Sequence, residues 1–245
     1  MKAAARLRGR RERDKTGLTL IDGVRENMRA LSGGTVLREA FVLPELMVDP
    51  EARALLERLR EESVPVLELG RVAFERLAYG DRLDGVVAVA QTPLRPLAEL
   101  TLPDRPLIAV IEGVEKPGNL GAILRSADGA GLDAVIVADT STDLLNPNVI
   151  RASLGTVFSV PVSVASTGDV LTWLRGRSIA IIAARVKGSV DYSAADYTGP
   201  VAIALGSEAR GLSDAWAELA VASVHVPMLG VADSLNVSAT AAVLF

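Results

Sequence analysis

The side chains best suited to chemistry in this sequence lie in three short, polar segments that contain glycine. The first, EGVEKPGNLGAILRS, places Asn119 near the start of a predicted helix and Arg125 nearly two turns later. The second, GSEARGLS, contains Glu208, and the third, PMLGVADSLN, contains Ser234 and Asn236. Amide, carboxylate, hydroxyl and guanidinium groups orient polar ligands through hydrogen bonds. The three segments are therefore a candidate ligand site.

Some of these residues also have a purely structural explanation. Asn119 suits a helix N-cap, and Ser234 suits the N-cap of the terminal helix LNVSATAAVLF. Glu208 either pairs with Arg125 or starts the next turn. A cap at Ser234 leaves Asn236 unexplained. The glycine spacing of the first segment does not match G-x-G-x-x-G, so a dinucleotide-binding turn is not predicted.

Each polar segment directly follows a strand that is apolar along nearly its whole length. These strands are LIAVIE, VAIALG and ASVHVP, and two more of the same kind, AVIVAD and IAIIAA, complete the alternation with helical or loop segments. Such strands are buried on both faces, which predicts an α/β fold with a parallel sheet covered by helices. Ligands bind at the carboxyl ends of the strands in such sheets. The three segments lie at those ends.

The N-terminal half has a different, mixed α/β pattern. The strand-like LTLIDG and GVVAVA enclose the helix-like VRENMRALSG and an amphipathic helix that starts near Pro50. The proline-rich QTPLRPLAELTLPDRP predicts a linker. We therefore expect a basic arm at 1–18, a small α/β domain at 19–92, a linker at 93–105 and a larger domain at 106–245.

Composition restricts the classes of chemistry that the chain supports. Apolar residues make up 49% of its 245 residues and aromatic residues only 4%. The sequence has no Cys and a single histidine, His225. Disulfide frameworks and thiolate metal sites are thus excluded, and a histidine metal cluster or a Ser-His-Asp triad has little to build on, so no metal is expected. His225 lies on an apolar strand and is expected to be a core residue.

The positive charge is concentrated at the N-terminus. The net charge is −4, yet residues 1–15 contain seven Lys or Arg against two acidic residues, which leaves the rest near −9. A basic arm on an acidic body is typical of a local nucleic-acid contact, and the alternative is a disordered, solubilising tail. The stretch lacks the apolar region of a signal peptide, and the other apolar runs are too short to span a membrane. We expect a soluble, cytoplasmic protein.

The three segments together resemble the signature motifs of the SpoU (TrmH-like) family of RNA ribose 2′-O-methyltransferases, which belongs to the SPOUT superfamily. The first motif matches Glu112 and NLGAILRSA, the second LGSEARGL, and the third VPMLGVADSLNVSATAA. Three separated motifs in the family order are a much more specific signal than any one of them.

The N-terminal half is also similar to the small substrate-binding domain of that family, which is related in fold to ribosomal protein L30e. GLTLIDGVRENMRAL and FERLAYGDRLDGVVAVA carry this similarity, so the resemblance extends from about Arg6 to Phe245. Three departures are visible. The N-terminal segment is short, the chain stops inside its last helix, and Ala184 stands where the family frequently has Thr.

The resemblance implies a deep trefoil knot at the C-terminus, a homodimer with sites near its interface, and S-adenosylmethionine as methyl donor. The residues that it assigns to catalysis are Asn119, Arg125, Glu208, Ser234 and Asn236. Those that it assigns to the cofactor are Ala184, Leu205, Gly206, Val226, Met228, Leu235 and Asn236. The candidates for RNA binding are Arg6, Arg8, Arg10, Arg11, Arg13, Lys15 and Arg151, with Arg25 as a further one. Arg151 equally suits a pair with a local carboxylate.

Family proposals make the arginine of the first motif, here Arg125, the general base. A guanidinium stays protonated in proteins, which makes it a demanding base. In the alternative that we weigh against it, Arg125 binds the phosphate next to the target ribose and lowers the pKa of the 2′-hydroxyl by its charge. The other four catalytic candidates then orient the arginine and the ribose.

The leading interpretation is methylation of a ribose 2′-hydroxyl in 23S ribosomal RNA, because tRNA enzymes of this family usually lack such an N-terminal domain. A tRNA methyltransferase is the closest alternative, and a resistance enzyme acting on 23S rRNA is another. A non-catalytic RNA-binding or ribosome-assembly protein is the alternative from a different class. The presence of all five catalytic candidates argues against it.

Overall fold

The computed structural model describes residues 1–79, 83–186 and 190–245. These residues form two compact units: unit 1 consists of 1–93 and 143–159, and unit 2 of 94–142 and 160–245. Parts of FERLAYGDRLDGVVAVA and of the segment after Ala184 lie outside the described residues. The division differs from the expected boundaries, because residues 143–159 cluster with the N-terminal unit.

The helices and strands are numbered in chain order. The helices are α1 Lys2–Arg6, α2 Arg10–Thr16, α3 Val24–Ser32, α4 Pro50–Glu61, α5 Arg71–Glu75, α6 Pro117–Ala130, α7 Pro147–Ala152, α8 Thr167–Gly176, α9 Asp214–Ala217 and α10 Val237–Leu244. The strands are β1 Leu18–Asp22, β2 Leu37–Val42, β3 Val66–Glu68, β4 Val86–Gln91, β5 Leu107–Glu112, β6 Ala134–Ala138, β7 Val162–Ala165, β8 Ala180–Ala184, β9 Val190–Asp191, β10 Val201–Leu205 and β11 Ala222–His225. Short 3-10 helices lie at Pro44–Leu46, Leu97–Glu99, Thr156–Phe158 and Tyr192–Ala194.

Unit 1 is built on a four-stranded sheet in the order β1-β4-β2-β3. Strand β4 pairs antiparallel with both neighbours, and β3 pairs parallel with β2. One core cluster of this unit includes Phe41 and Phe74, and the side chains of Ala4 and Leu7 belong to the same cluster. The first 16 residues therefore form two short helices and are anchored in the core through Ala4 and Leu7, instead of forming a solvated tail.

The segment 143–159 packs closely within unit 1. Gly155 has a φ of 85°, and a side chain there would place its Cβ 3.0 Å from the Cα of Glu26 in α3. The guanidinium of Arg29, also in α3, donates a hydrogen bond to the Leu154 carbonyl at 2.7 Å. Glycine at 155 therefore permits the close approach of this segment to α3.

Unit 2 is built on a seven-stranded sheet in the order β7-β6-β5-β10-β8-β11-β9. Every pair of neighbours is parallel, which confirms the sheet predicted from the apolar strands. Helix α8 and the indole of Trp216 cover part of its buried core. The expected linker packs here as well, because Leu100 lies in this core and the Arg95 N–H donates to the Val162 carbonyl.

Two further features can be checked in the described residues: membrane-spanning helices and metal sites. None of the helices in the described part of the chain is long and apolar enough to cross a membrane. Among residues 1–79, 83–186 and 190–245, no three His, Cys, Asp or Glu side chains come together in a group that could hold a metal ion.

Candidate active site

The carboxyl ends of the central strands of unit 2 carry the candidate site. Glu112 ends β5, Leu205 ends β10, Ala184 ends β8 and His225 ends β11. In a parallel sheet these ends lie at one edge, so the segments that follow them converge there. The structure thus brings together residues that are separated by 89 and 117 positions in sequence.

Three of the predicted catalytic residues are joined in a chain of hydrogen bonds. The Asn119 side-chain amide donates to a carboxylate oxygen of Glu208. The Asn236 side-chain amide donates in turn to the Asn119 amide oxygen at 3.3 Å. One residue comes from each of the three polar segments, so this chain links all three of them.

Asn119 does not cap a helix, contrary to the structural alternative. Helix α6 begins with Pro117 after the N-cap position at Lys116, and this places Asn119 in the first turn. Proline at the first position is preorganised for a helix start. The side chain of Asn119 is therefore available for the bonds to Glu208 and Asn236.

The predicted N-cap at Ser234 is wrong, because Asn236 occupies that position. The Asn236 side-chain oxygen accepts from the Ser238 N–H at 2.9 Å and from the Ser238 hydroxyl at 2.6 Å. Its oxygen thus caps α10 while its amide nitrogen reaches Asn119. Ser234 lies two residues earlier, with its side chain exposed. An Asn performs both tasks because it has an acceptor and a donor.

Glu208 lies in a tight turn after β10. The Gly211 N–H donates to the Ser207 carbonyl at 2.8 Å, and the Arg210 N–H donates to the Ser207 hydroxyl at 3.1 Å. A side chain at Gly206 would overlap the backbone of Gly211, so only glycine permits this turn. The turn leaves the Glu208 side chain exposed.

The loop between β5 and α6 is held by residues that sequence reasoning missed. The buried hydroxyl of Thr142 lies 2.9 Å from the Val114 carbonyl and 2.8 Å from that of Glu115, and donates to them. The Thr140 hydroxyl approaches the Val114 carbonyl at 3.5 Å. These hydroxyls fix the loop that leads into α6 and thereby orient the start of the helix that carries Asn119.

Glu112 is a buried hub beneath the site. Its carboxylate accepts from the Ser213 N–H at 2.7 Å, the Ser213 hydroxyl at 2.8 Å and the Thr167 hydroxyl at 2.8 Å. Burial alone raises the pKa of the Glu112 carboxyl, but these hydrogen bonds outweigh it and hold the pKa below its usual value. Glu112 therefore stays ionised and ties the end of β5 to the segments that carry Ser213 and Thr167.

Arg125 lies apart from this hydrogen-bonded chain. It is exposed on α6, and within the described part of the chain it has no hydrogen bond or ion pair. The ion pair between Arg125 and Glu208, one of the two alternatives for Glu208, is not formed. Glu208 instead accepts a hydrogen bond from Asn119.

A cavity of about 680 Å³ opens beside the three segments, a volume within the usual range for small-molecule sites. Candidate residues in its wall are Ala184, Leu205, Gly206, Glu208, Val226, Ser234, Leu235 and Asn236. Further residues in the wall, which sequence reasoning did not single out as a site, include Lys116, Arg185, Ser207, Arg210, His225 and Thr240. Met228, Asn119 and Arg125 are not part of this wall as the structure describes it.

His225 differs from its expected place in the core. It is half-buried at the end of β11 and contributes to the cavity wall. Its Nδ1 atom is buried and has no hydrogen-bond partner among residues 1–79, 83–186 and 190–245. The signal in the sequence that could have identified His225 is its position directly before the third motif.

The predicted RNA-binding residues of unit 1 fall into three groups. Arg6, Arg10, Arg11 and Lys15 are exposed, and Arg10 pairs with Asp14. Arg13 is buried, pairs with Asp143 and donates to the carbonyls of Leu7 and Arg8. Its predicted phosphate contact is contradicted by this burial.

The remaining two arginines of this set surround one aromatic ring. The guanidinium carbons of Arg8 and Arg151 lie 6.0 Å and 5.7 Å from the centre of the Tyr79 ring. Arg151 also donates to the Tyr79 carbonyl at 2.6 Å and lies 3.5 Å from the Asp22 carboxylate. The alternative that Arg151 pairs with a local carboxylate is therefore what the structure shows.

Comparison with known proteins agrees with this geometry. The SpoU rRNA Methylase family model matches residues 106–245, and that of the MRM3-like substrate binding domain matches residues 1–88. A 23S rRNA (uridine(2479)-2′-O)-methyltransferase of Streptomyces viridochromogenes is 32% identical, over 98% of this chain and 86% of the relative.

Solved structures show the same relationship. A crystal structure of an RNA 2′-O ribose methyltransferase is 42% identical with a TM-score of 0.85, covering 99% of this chain and 92% of the other. The SpoU methyltransferase AviRb from Streptomyces viridochromogenes, in complex with AdoMet, is 29% identical with a TM-score of 0.90, covering 99% and 94%. The fold, the motif residues and the family match agree, and this chain belongs to the SpoU rRNA methylase family.

Proposed function

We propose that this protein transfers a methyl group from S-adenosylmethionine to a ribose 2′-hydroxyl of 23S ribosomal RNA. The hydrogen-bonded chain Asn236–Asn119–Glu208 beside a large cavity is the observation that carries the proposal. The family, and the 23S rRNA activity of the 32% identical relative, support the same reaction. In this proposal residues 106–245 form the methyltransferase domain and 19–92 the RNA-binding domain. Absence of Cys and an rRNA substrate support a cytoplasmic location.

The residues of the cavity suit S-adenosylmethionine. Its wall combines apolar side chains such as Leu205 and Leu235 with polar ones, among them His225, whose buried Nδ1 has no hydrogen-bond partner within the described part of the chain. We assign the cofactor to the wall residues Ala184, Leu205, Gly206, Val226, Leu235 and Asn236, with Met228 following Val226 along the chain. A few polar groups in an apolar cavity give a small-molecule site its specificity.

The bound cofactor supplies an electrophilic methyl group on a sulfonium, which leaves a neutral thioether after transfer. The difficult part of the reaction falls to the protein, since a ribose hydroxyl is a weak acid. We assign Arg125 to a phosphate next to the target ribose, where its charge lowers the pKa of the 2′-hydroxyl, and the proton of that hydroxyl is released to solvent as the oxygen is methylated. A permanently protonated guanidinium suits this task better than that of a base.

Asn119, Glu208, Ser234 and Asn236 orient the reacting groups in this proposal. The amide of Asn119 is held between Glu208 and Asn236, so its position is defined before substrate binds. Preorganised polar groups of this kind contribute several kcal/mol by keeping reactants in a near-attack geometry.

The exposed basic residues of the N-terminal helices are proposed to bind the RNA. Arg6, Arg10, Arg11 and Lys15 present their charges to solvent, and Arg8 lies beside Tyr79 and Arg151. Contacts between such cations and phosphates release counterions, so RNA affinity is expected to fall steeply with salt.

A homodimer and a deep trefoil knot belong to the same proposal. Both are supported by family membership, although connection rules for ordinary folds disfavour knots. Leu229 and Val231 in the third motif are fully exposed, and Val243 of α10 is also exposed. Exposed apolar residues of this kind suit an interface with a second copy. Sedimentation measurements test the proposed homodimer, and a stable monomer at assay concentrations would contradict it.

Two experiments test the proposed activity. Mapping of 2′-O-methylation in ribosomal RNA from a deletion strain, against wild type, is expected to reveal one or more 23S rRNA riboses that lose their methyl group. Calorimetry with S-adenosylmethionine is expected to detect binding to the purified protein. Unchanged rRNA methylation together with a new gap in tRNA methylation would favour the tRNA alternative, and absence of cofactor binding would favour a non-catalytic RNA-binding protein.

A further inference from the structure

The wall of the cavity in unit 2 contains an excess of positive charge. Lys116, Arg185 and Arg210 contribute to it, and Glu208 is the acidic residue among the wall residues that the structure describes. The Arg185 guanidinium is already engaged within the protein, because it donates to the Ser213 carbonyl at 2.6 Å and lies 3.9 Å from the Asp214 carboxylate. Its role is thus to hold the segment after the second motif.

Lys116 and Arg210 are different from Arg185. Both side chains are exposed, and within residues 1–79, 83–186 and 190–245 neither makes a hydrogen bond or an ion pair. The carboxylate of Glu208 keeps its charge and accepts from the Asn119 amide, and among the described residues it forms no ion pair with either cation. The wall therefore has a positive balance of charge, and two of its cations, Lys116 and Arg210, are exposed and have no ion-pair partner among the described residues.

The chain positions both cations next to the proposed catalytic residues. Lys116 lies three residues before Asn119, in the loop that the Thr142 hydroxyl holds. Arg210 lies two residues after Glu208, in the turn closed by the bond between Gly211 and Ser207. Their backbone is thus held by hydrogen bonds, while their side chains remain free to follow a ligand.

We propose that Lys116 and Arg210 bind a phosphate of the RNA strand beside the ribose that is methylated. This inference rests on the proposed function and adds a substrate site to it. A ribose within an RNA strand is flanked by two phosphates, and Arg125 is assigned to one of them. Lys and Arg side chains are among the groups that contact nucleic-acid phosphates, and such contacts fix the register of the strand. The cavity cations bind the other phosphate and set the target ribose against the Asn119 chain.

The experiment compares Lys116→Ala, Arg210→Ala and the double variant with the wild-type protein. Arg175→Ala is the matched control, since Arg175 is an exposed cation on α8 outside the cavity wall. The probe is unmodified 23S rRNA transcribed in vitro. We measure the KM for RNA, the Kd for S-adenosylmethionine by calorimetry, and RNA affinity by filter binding over a range of salt concentrations.

Each single substitution is expected to raise the KM for RNA on the order of tenfold and to lower the salt slope of RNA binding by about one, as for loss of one phosphate contact. Cofactor affinity stays at the wild-type value, and Arg175→Ala behaves as wild type in every measurement. Lys116→Arg and Arg210→Lys are expected to restore most of the RNA affinity. A purely structural role would not change the salt slope.

Two results would overturn the inference. Loss of cofactor affinity in step with the rise in KM would assign the cations to the cofactor carboxylate. An unchanged KM and salt slope in the double variant would remove them from the substrate site. Failure of the proposed function is distinguishable, because the wild-type protein would then neither bind S-adenosylmethionine nor methylate the RNA.

Discussion

The side-chain amide of Asn236 donates to the side-chain oxygen of Asn119 at 3.3 Å, while the oxygen of the same Asn236 caps helix α10. One side chain thus performs a structural task with its oxygen and a task in the site with its nitrogen. The two tasks can be separated by substitution, because only the second needs a donor.

Asn236→Asp retains the cap and removes the donor. Asp and Asn are about equally good N-caps, so the stability of this variant is expected to stay within about 0.5 kcal/mol of wild type. Methyl transfer is expected to fall by on the order of a hundredfold, because a carboxylate next to the Asn119–Glu208 pair repels Glu208 and cannot donate to Asn119. Urea unfolding and a methyl-transfer assay measure the two effects.

Asn236→Ala is the companion variant. It removes both cap and donor, so it is expected to lose about 1 kcal/mol of stability in addition to activity. Wild-type activity in Asn236→Asp would show that Asn236 is a cap and nothing more.

Arg125→Ala tests the exposed arginine of the first motif. Removal of its charge is expected to abolish methyl transfer, while the Kd for S-adenosylmethionine changes by less than about twofold, since Arg125 is outside the cavity wall. Thermal stability is expected to be unchanged, because the side chain is exposed. Calorimetry and single-turnover kinetics give the two quantities. Equal losses of cofactor affinity and of transfer rate would contradict the assignment.

The layout of the site was predictable because strand composition reports burial directly. Strands without polar alternation, such as β5 and β10, must be covered on both faces, and this predicts a parallel sheet with ligands at its carboxyl edge. The polar segments after Glu112, Leu205 and His225 therefore had to meet.

Other features depend on contacts that local sequence does not encode. Seven basic residues in the arm look alike in composition, yet only a tertiary partner, Asp143, makes Arg13 a buried residue. Ser234 and Asn236 are both good cap residues by propensity, and the start of α10 decides between them. No sequence pattern indicates the role of the Thr142 hydroxyl, because that role depends on two carbonyl groups of a loop that is distant in sequence.

Substitutions of Arg11 and Arg13, which lie in the same helix, are expected to affect RNA binding and folding stability separately. Arg13→Ala leaves the Asp143 carboxylate without its buried partner, which is expected to cost about 3–5 kcal/mol of stability. Arg11→Ala removes an exposed charge, so it is expected to leave stability unchanged and to weaken RNA binding with a smaller salt slope. Urea unfolding and filter binding of 23S rRNA test both variants. An Arg13→Ala protein of wild-type stability would contradict the structural role of Arg13.

Asp22 at the end of β1 makes the stability of unit 1 depend on pH. Burial raises the pKa of its carboxyl to about 6, and nearby Asp84 and Glu26 act in the same direction. The Tyr79 N–H, which donates to Asp22 at 2.6 Å, and the charge of Arg151 oppose this rise only in part. The folded protein therefore retains a proton on Asp22 at pH values where the unfolded chain has released it.

The sign of the effect follows from the direction of that shift. Between the ordinary pKa of 3.8 and the raised value of about 6, the native state binds more protons, so the contribution of Asp22 to stability is lost as pH rises through this window. A shift of this size corresponds to about 3 kcal/mol at most. Asp22→Asn keeps an acceptor for the Tyr79 N–H and cannot ionise. It is expected to match wild type near pH 4 and to exceed its stability at pH 7.5.

Urea unfolding at intervals from pH 4 to pH 8 measures the difference between Asp22→Asn and the wild-type protein, so the titration of all other groups cancels. Asp14→Asn is the matched control, because the Asp14 side chain is 67% exposed in its pair with Arg10 and is expected to leave the pH profile unchanged. A difference between Asp22→Asn and wild type that stays constant from pH 4 to pH 8 would show that Asp22 does not titrate in this range. A difference that grows between about pH 4 and pH 6 and then levels off identifies the Asp22 carboxyl as the group whose ionisation weakens unit 1.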